Sequence, residues 1–386
     1  MHSLAERYLR LSPGWDLLAL FALSLAVLLP GLGQHATIAG RELLHAEISR
    51  EMVTSDTLAV PKRLGGPYLS KPPVLHAMVT LVFRAAGERD LFLARLPGAF
   101  AGAAGVLATY GLATLVLGRR GGLVAGIALL ATPAYAAHAR MVRPDIVFAA
   151  LLFSACCAMG WAMALRGRRR IGLFLLGGFA AGLSAVTKGP YGVLFPVLFV
   201  ILFPVGQAAL RRPRWLDGAV LAVGFTAGIA LWLVPAWRHD GGVYVNEVLH
   251  QRDLEAGEGH MNPFWFYLAG PVWVFTLPVV LALPLAMARW RREGPSGSLA
   301  LAATILALLS AVGSKRAYYV LPLVPFVVVP SVAAFLSFAA GRPRLRRAAG
   351  IVLATCLVGV PVAYALVIPR IWPAGDPEWE FGMRVA

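Results

Sequence analysis

The chemistry in this chain gathers on a few cations and acids at the edges of long apolar runs. Lys71 stands in "GGPYLSKPPVLHA" (residues 65–77), between a glycine pair and an apolar run that resumes at Val74. Pro72 and Pro73 follow it, and proline is tolerated in the first turn of a helix, so a short helix is expected to start there. A helix start offers free N–H groups and a partial positive charge. A lysine beside it makes an anion site suited to a phosphate; a lysine that merely snorkels to lipid headgroups is the plainer reading. Asp145, in "HARMVRPDIVFAALLF" (residues 138–153), opens another apolar run behind Arg140 and Arg143. An ionisable residue at the edge of a span is a functional candidate, against the simpler role of a helix-start acid favoured by the dipole.

Glu42, Glu47 and Glu51 share "RELLHAEISREM" (residues 41–52), a run of good helix formers with a partly apolar face. It reads as a helix lying on a membrane surface. Glu47 and Glu51 read as its solvated face. Glu42 with Asp145 would make a carboxylate pair for general-base work or for holding a divalent metal, provided the two meet. Further on, "NEVLHQRDLEAGEGHMNPFWFYL" (residues 246–268) offers Arg252 as a second phosphate ligand. His250 and His260 are too loosely spaced to assign a metal, and Phe264, Trp265, Phe266 and Tyr267 form an interface belt. "TKGPYG" (187–192) and "SKRAYYVLP" (314–322) place Lys188 and Lys315 at further span edges; with Lys62 and Lys71 they are the only lysines in the chain.

The elements that must position these residues are membrane helices. Of the 386 residues 59% are hydrophobic and 14% charged, with mean hydropathy +0.71, whereas a soluble domain is about a quarter charged. The formal charge of +16 does not indicate nucleic acid, because the basic residues fall in short clusters between apolar runs, where they set membrane orientation. Cys156, Cys157 and Cys356 lie inside apolar runs and form neither a metal spacing nor a disulfide framework. A spanning helix needs about 20 apolar residues. The runs Trp15–Leu32, Leu91–Leu117, Leu123–Ala137, Ile146–Leu165, Ile171–Val186, Tyr191–Leu210, Trp215–Trp237, Phe264–Trp290, Leu299–Val312, Tyr318–Ala340 and Ala348–Ile368 meet or approach that length. Val74–Phe83 is too short to cross alone.

With a cytoplasmic N-terminus and Val74–Phe83 not crossing, the clusters Arg119–Arg120, Arg166–Arg170, Arg211–Arg214, Arg289–Arg292 and Arg342–Arg347 all fall inside, as the positive-inside rule requires. The first run, with no small-residue cleavage site after it, reads as a retained span. The expectation is an all-α polytopic membrane protein of about eleven spans (11–13), forming one transmembrane domain over residues 1–386. Two long outer loops, at about 33–90 and 238–263, would carry the polar residues. No large soluble domain is expected after the last span.

In series, "AEISREM", "VPKRLGGPYLSKPPVLHA", "RLPGAFAG", the segment ending at Asp145, "TKGP", "NPFWFYL" and "SKRAYYVLPLVPF" resemble the polytopic glycosyltransferases that use a polyprenyl-phosphate sugar. The resemblance is to the branch containing the aminoarabinose transferase of lipid A and the protein O-mannosyltransferases, the GT-C type. It implies a bacterial inner-membrane enzyme with its site facing outward, a polyprenyl-phosphate sugar donor and a lipid, glycan or protein acceptor. Lys71 would bind the donor phosphate with Tyr68 shaping the pocket, joined by Arg252, Lys315 and Tyr318. Asp145 and Glu42 would be the acids, with Lys188, Arg143, His250 and His260 as further candidates. The family's leading aspartate reads Arg41 here, and the acid expected before the lysine reads Ser70, which weakens a metal. Alternatives of other classes are a lipid or sugar transporter, which should carry ionisable residues deep in mid-span, and a catalytically inactive relative.

Overall fold

The structure, a computed structural model, describes residues 14–34, 40–207, 209–255, 262–294 and 296–371. His260 lies outside them, and of Arg41 and Arg252 only the helical backbone is described. The fold is a bundle of helices with one small hairpin, Lys62–Arg63 against Gly66–Pro67, in the segment before Lys71. Six helices among the described residues are long and apolar enough to cross a membrane, or seven if the bent pair Val279–Glu293 and Gly297–Ala311 counts as one span.

The longest of them, Leu91–Leu130, is two helices. Gly118 breaks it with φ 71° and ψ 178°, a conformation open chiefly to glycine. Beyond it the chain folds back. A Cβ added to Gly122 would lie 2.1 Å from the Thr114 hydroxyl oxygen, and one on Gly126 would lie 3.4 Å from the Tyr110 Cβ. In a straight helix those pairs would be separated by about 12 Å and 24 Å. The expected boundary between Leu91–Leu117 and Leu123–Ala137 thus falls at a glycine reversal, with Arg119 and Arg120 on its turn.

Pro144–Ala164 and Gly167–Lys188 form an antiparallel hairpin closed by Leu165 and Arg166. Helices of 21 and 22 residues joined so tightly must bring their far ends together. Those ends carry Asp145 and Lys188. Gly167–Lys188 also packs on Trp215–Asp240, where Gly178 and Gly182 face Gly224 and Gly228. A Cβ at any of the four would sit 2.1–2.4 Å from a backbone oxygen of the other helix, so the backbones touch as at small-residue membrane crossings. On Trp215–Asp240 and Pro343–Val362 large apolar side chains such as Leu216, Val223, Leu231, Ile351 and Val358 are exposed, which suits faces turned to lipid.

Three expectations are corrected. Phe264–Trp290 is not one continuous span: it is broken into Phe266–Ala269, Pro271–Thr276, a 3₁₀ turn at Val279–Ala282 and Leu283–Glu293. Pro271, Pro278 and Pro284 each remove a backbone donor, which ends or bends a helix. Tyr191 starts a helix that stops at Leu202. Gly40–Glu51 forms the expected helix with Glu47, Arg50 and Glu51 on its outer side, but the rest of it is more deeply packed than a surface helix. Glu42, Leu43, His45, Ile48 and Ser49 are all buried, because the helix packs on Val74–Ala86. That second helix begins as expected after the proline pair, with Pro73 as its N-cap.

Buried polar groups tie these elements. Arg95 forks onto Glu42, with Nε 2.8 Å from Oε1 and Nη2 3.2 Å from Oε2, and its Nη1 donates to the Leu32 carbonyl at 2.6 Å. Both side chains are fully buried. Arg140 closes the end of the Gly14–Leu28 helix, donating to the carbonyls of Val27, Leu28 and Pro30, which satisfies acceptors a helix end leaves open. Its guanidinium lies 4.1 Å from the Tyr364 ring centre. Between Gly40–Glu51 and Val74–Ala86, His45 Nδ1 and His76 Nε2 share a hydrogen bond of 3.0 Å. Thr80 donates to the carbonyls of Ser49 and His76.

Two stability experiments follow from these contacts. Arg95→Ala strands a buried carboxylate, which costs about 3–5 kcal/mol; the thermal midpoint of the detergent-purified protein should drop sharply and recover when Glu42→Leu is combined with Arg95→Met. A midpoint indifferent to Arg95→Ala would show that the pair is not sealed from water. The second concerns pH. Burial, and then the neighbouring His45, hold the His76 imidazole well below its usual 6.5. The unfolded chain takes up that proton near pH 6.5, so this group's contribution to stability is complete above about pH 6.5 and is lost as pH falls below it. The midpoint should therefore fall between about pH 7 and pH 5, and His76→Gln should flatten the fall; an equally steep fall in the variant would assign it elsewhere.

Candidate active site

The hairpin ends make the best-defined polar cluster. Pro144 occupies the first turn of its helix and Asp145 follows it, buried, where the helix dipole favours an acid. Lys188 is the last residue of its own helix, where the dipole favours a cation. Gly189, at φ 77°, and Pro190 turn the chain away at once, so the lysine cannot drift along a continuing helix. Its ammonium donates to Asp145 Oδ1. The Tyr319 ring lies 4.3 Å from the Lys188 Nζ and the Tyr318 ring 5.5 Å, while the Arg143 guanidinium lies 5.0 Å from the Tyr318 ring. These are cation–π distances. The Asp145–Lys188 pair therefore lies beside the Tyr318 and Tyr319 rings, with Arg143 against the same Tyr318 ring.

His138 faces the same cluster. It lies on Pro133–Ala139, half-buried, with its ring centre 5.1 Å from that of Phe275 and 6.1 Å from that of Tyr318. The charged groups facing it are Asp145, Arg143 and Lys188.

A second group surrounds the stretch before Lys71. The Tyr68 ring meets the His76 ring edge-on at 5.8 Å. The Tyr244 hydroxyl, on the Val243–Glu255 helix, donates to the Tyr68 carbonyl at 3.3 Å, and Trp232 Nε1 donates to the Ala59 carbonyl at 3.0 Å. Ala59, Val60, Ala236, Tyr244, Val245 and Val248 bury one another there, so the two long loops expected from the sequence pack together. Lys71 is half-buried in the turn that enters the Val74–Ala86 helix. That helix packs on both helices of the Asp145–Lys188 hairpin.

Glu42 bridges the two groups. Its Oε1 accepts from the backbone N–H of Val142 at 3.1 Å as well as from Arg95. The first-loop acid is thus joined to the segment that carries Asp145 three residues later, yet both of its oxygens are already engaged. Lys315 is buried and donates to the Asn262 carbonyl at 2.9 Å, and Asn262 Nδ2 returns a bond to the Lys315 carbonyl at 3.2 Å. His250 is exposed, with Nδ1 2.8 Å from the Asn246 carbonyl four residues back. The structure therefore brings Asp145, Lys188, Arg143 and Tyr318 together, and Tyr68 to the Lys71 turn. Glu42 and Lys315 are engaged in their own latches, and His250 stands apart. Among the described residues no three His, Cys, Asp or Glu side chains gather as a metal site would need.

Arg95, His138, Tyr319 and Tyr244 were passed over in the sequence. Arg95 had a signal, since it is a charge four residues inside the apolar run Leu91–Leu117, and such charges seek a buried partner. Tyr319 sits beside Tyr318. Tyr244 had no signal beyond its loop.

The sequence model of the family described as "Dolichyl-phosphate-mannose-protein mannosyltransferase" matches residues 70–232, a stretch that runs from Ser70 across Lys71, Asp145 and Lys188. The chain is 28% identical over 343 residues to "Undecaprenyl phosphate-alpha-4-amino-4-deoxy-L-arabinose arabinosyl transferase 1" of Pseudomonas fluorescens, covering 86% of this chain and 62% of that one. It is 32% identical over 328 residues to the corresponding transferase 2 of Sodalis glossinidius, covering 81% and 58%. The chain thus spans about three fifths of the length of the curated relatives it matches. The crystal structure of ArnT from Cupriavidus metallidurans in the apo state superposes with a TM-score of 0.73 at 20% identity, over 92% of this chain and 76% of that one. The same protein bound to undecaprenyl phosphate gives 0.70 at 19% identity, over 92% and 77%. The chain is thus an all-α bacterial multi-pass membrane protein that shares the fold of these transferase structures and is similar in sequence to the aminoarabinose transferases.

Proposed function

We propose that this chain transfers a sugar from a polyprenyl-phosphate donor to an acceptor hydroxyl on a lipid, glycan or protein. The observation that carries the reading is the buried Asp145–Lys188 pair, set under Tyr318 and Tyr319 in a fold shared with a protein solved bound to undecaprenyl phosphate. The acceptor oxygen bonds to the anomeric carbon as the bond from that carbon to the phosphate oxygen breaks. The electron pair leaves with the lipid phosphate. Lys71, in its turn with Tyr68, and Tyr318 would meet the developing phosphate charge, which fixed cations and donors stabilise more strongly in a water-poor site than in bulk; Arg252 and Lys315, assigned to that phosphate by the family resemblance, would have to join them, Lys315 by leaving Asn262. Asp145 orients the acceptor hydroxyl. Glu42, with its oxygens spent on Arg95 and Val142, serves by holding the Arg140–Asp145 segment.

The chain sits in the bacterial inner membrane as one transmembrane domain with about eleven spans, its N-terminus cytoplasmic and its site outward. The ion pairs support this sorting. Asp16 meets Arg119, Asp217 meets Arg170 and Glu293 meets Arg289, all pairs from one expected face. Glu42–Arg95, Asp145–Lys188 and Asp56–Lys62 come from the other. Alternation across eleven spans yields that partition, and one span too many or too few before Asp217 would scramble it.

Purified protein offered a panel of polyprenyl-phosphate sugars should release lipid phosphate from at least one, and Lys71→Ala should cut kcat/KM by about 10²-fold or more. No release from any donor would sink the reading; an unaffected variant would remove Lys71 from the site. For orientation, a cysteine placed at Gly65 should react with a membrane-impermeant maleimide in spheroplasts, whereas one at Gly167 should react only after lysis. The reverse pattern would turn the whole topology over.

A further inference from the structure

In the Asp145 cluster the obvious base is compromised. Lys188 donates to one carboxylate oxygen and the Arg143 charge also acts on the carboxylate. A carboxylate held by cations is a weak proton acceptor, because an opposite charge nearby favours its ionised form. The imidazole of His138 is placed differently. Its Nδ1 lies 2.8 Å from the Ala134 carbonyl oxygen. A carbonyl can only accept, so in the neutral ring the hydrogen is on Nδ1 and Nε2 carries a bare lone pair. The ring is wedged against Phe275 and Tyr318. Of the charged groups facing it, Arg143 and Lys188 oppose its protonation and Asp145 favours it; the Pro271–Thr276 helix brings the uncharged Phe275 ring against it. Burial holds the imidazole below its usual 6.5, which keeps it neutral at physiological pH.

We propose that His138 is the proton acceptor of the transfer, with Asp145 as the group that steadies the imidazolium it becomes. The inference rests on the transferase reading above. The acceptor hydroxyl gives its proton to Nε2 while its oxygen forms the bond to the anomeric carbon. The bond from that carbon to the phosphate oxygen breaks, and its electron pair leaves with the lipid phosphate. The new positive charge on the ring then faces the Asp145 carboxylate, whose lysine can turn toward the departing phosphate. The proton returns from Nε2 to solvent or to that phosphate, and the site is restored. This division of labour answers how a carboxylate already neutralised by Lys188 and Arg143 can take part in a reaction that must move a proton.

The test uses the full chain in detergent and whichever donor and acceptor the wild type turns over. His138→Asn keeps a side-chain N–H near the Ala134 carbonyl and removes the lone pair. It should lower kcat by about 10²–10⁴-fold, with the donor KM and the binding of undecaprenyl phosphate little changed. A base must be unprotonated to act, so wild-type kcat should rise with pH through an acid limb at or below about pH 6.5 and then level off. His138→Asn should lack that limb in its residual activity. The other seven histidines remain in the variant, so a limb that persists does not belong to His138 and overturns the proposal. So does a variant that keeps kcat within about threefold of wild type. If His138→Asn fails to fold, the wild-type profile still decides: a kcat with no acid limb down to the lowest pH at which the protein stays folded excludes an imidazole base. A wild type that releases no lipid phosphate from any donor instead removes the transferase reading, and this inference falls with it.

Discussion

The buried fork between Arg95 and Glu42 is the contact on which the rest of the polar architecture hangs. Two charges with no exposure at all must be matched atom for atom, because removing either leaves a bare ion in an apolar bundle. Matching them fixes three segments at once. Arg95 lies in the second turn of the helix that reverses at Gly118, Glu42 belongs to the first-loop helix, and the Leu32 carbonyl follows the first helix. The remaining lone pair of Glu42 then reaches the Val142 N–H. Beside it Arg140 gathers the last carbonyls of the first helix. The short segment Arg140–Arg143 is therefore pinned from both sides, and Asp145 inherits its position from that pinning rather than from its own helix alone.

The other half of the cluster is fixed by length. Two helices of 21 and 22 residues turn over at Leu165 and Arg166 and must finish level with one another. Level ends place an acid at a helix start against a lysine at a helix end, so both dipoles and the ion pair act in the same sense. Tyr318 and Tyr319 then close the pair with ring faces. These constraints are cheap in sequence. They need a turn of the right length, a glycine after Lys188 and a proline before Asp145.

Those features explain what could be read in advance. The long helices and the turn at Gly118 follow from apolar run length and glycine position. The helix after Pro72 and Pro73 and the helix over Gly40–Glu51 were legible from proline placement and helix formers. The interruptions in Phe264–Trp290 were written in its prolines, but hydropathy outweighed them in the reading. The partners were not legible. Nothing local says that Glu42 will meet Arg95, 53 residues away, or that Tyr244 will meet Tyr68 across 176 residues. Such pairings are decided by which helices pack, and a single chain without its fold carries no register for that. Glu47 and Glu51 do keep the outer side of the first-loop helix, but that Glu42 on the same helix faces a buried arginine could not be told from its type.

The balance of charge at the site end bears on what it can hold. Glu42 is consumed by Arg95, and Asp145 faces both Lys188 and Arg143. One acid against two cations leaves this cluster positive, without counting Lys71 on the neighbouring helix turn. At an effective dielectric near 20 a unit charge about 4 Å from another is worth about 4 kcal/mol, against about 1 kcal/mol in bulk water. A neutral sugar gains little from such a field, whereas a phosphate gains most as its negative charge grows. The arrangement therefore favours departure of a phosphate more than it favours binding of a sugar. The cations that make leaving easy are the same ones that weaken Asp145 as a base, so a chain that invests in the first must find its proton acceptor elsewhere in the cluster.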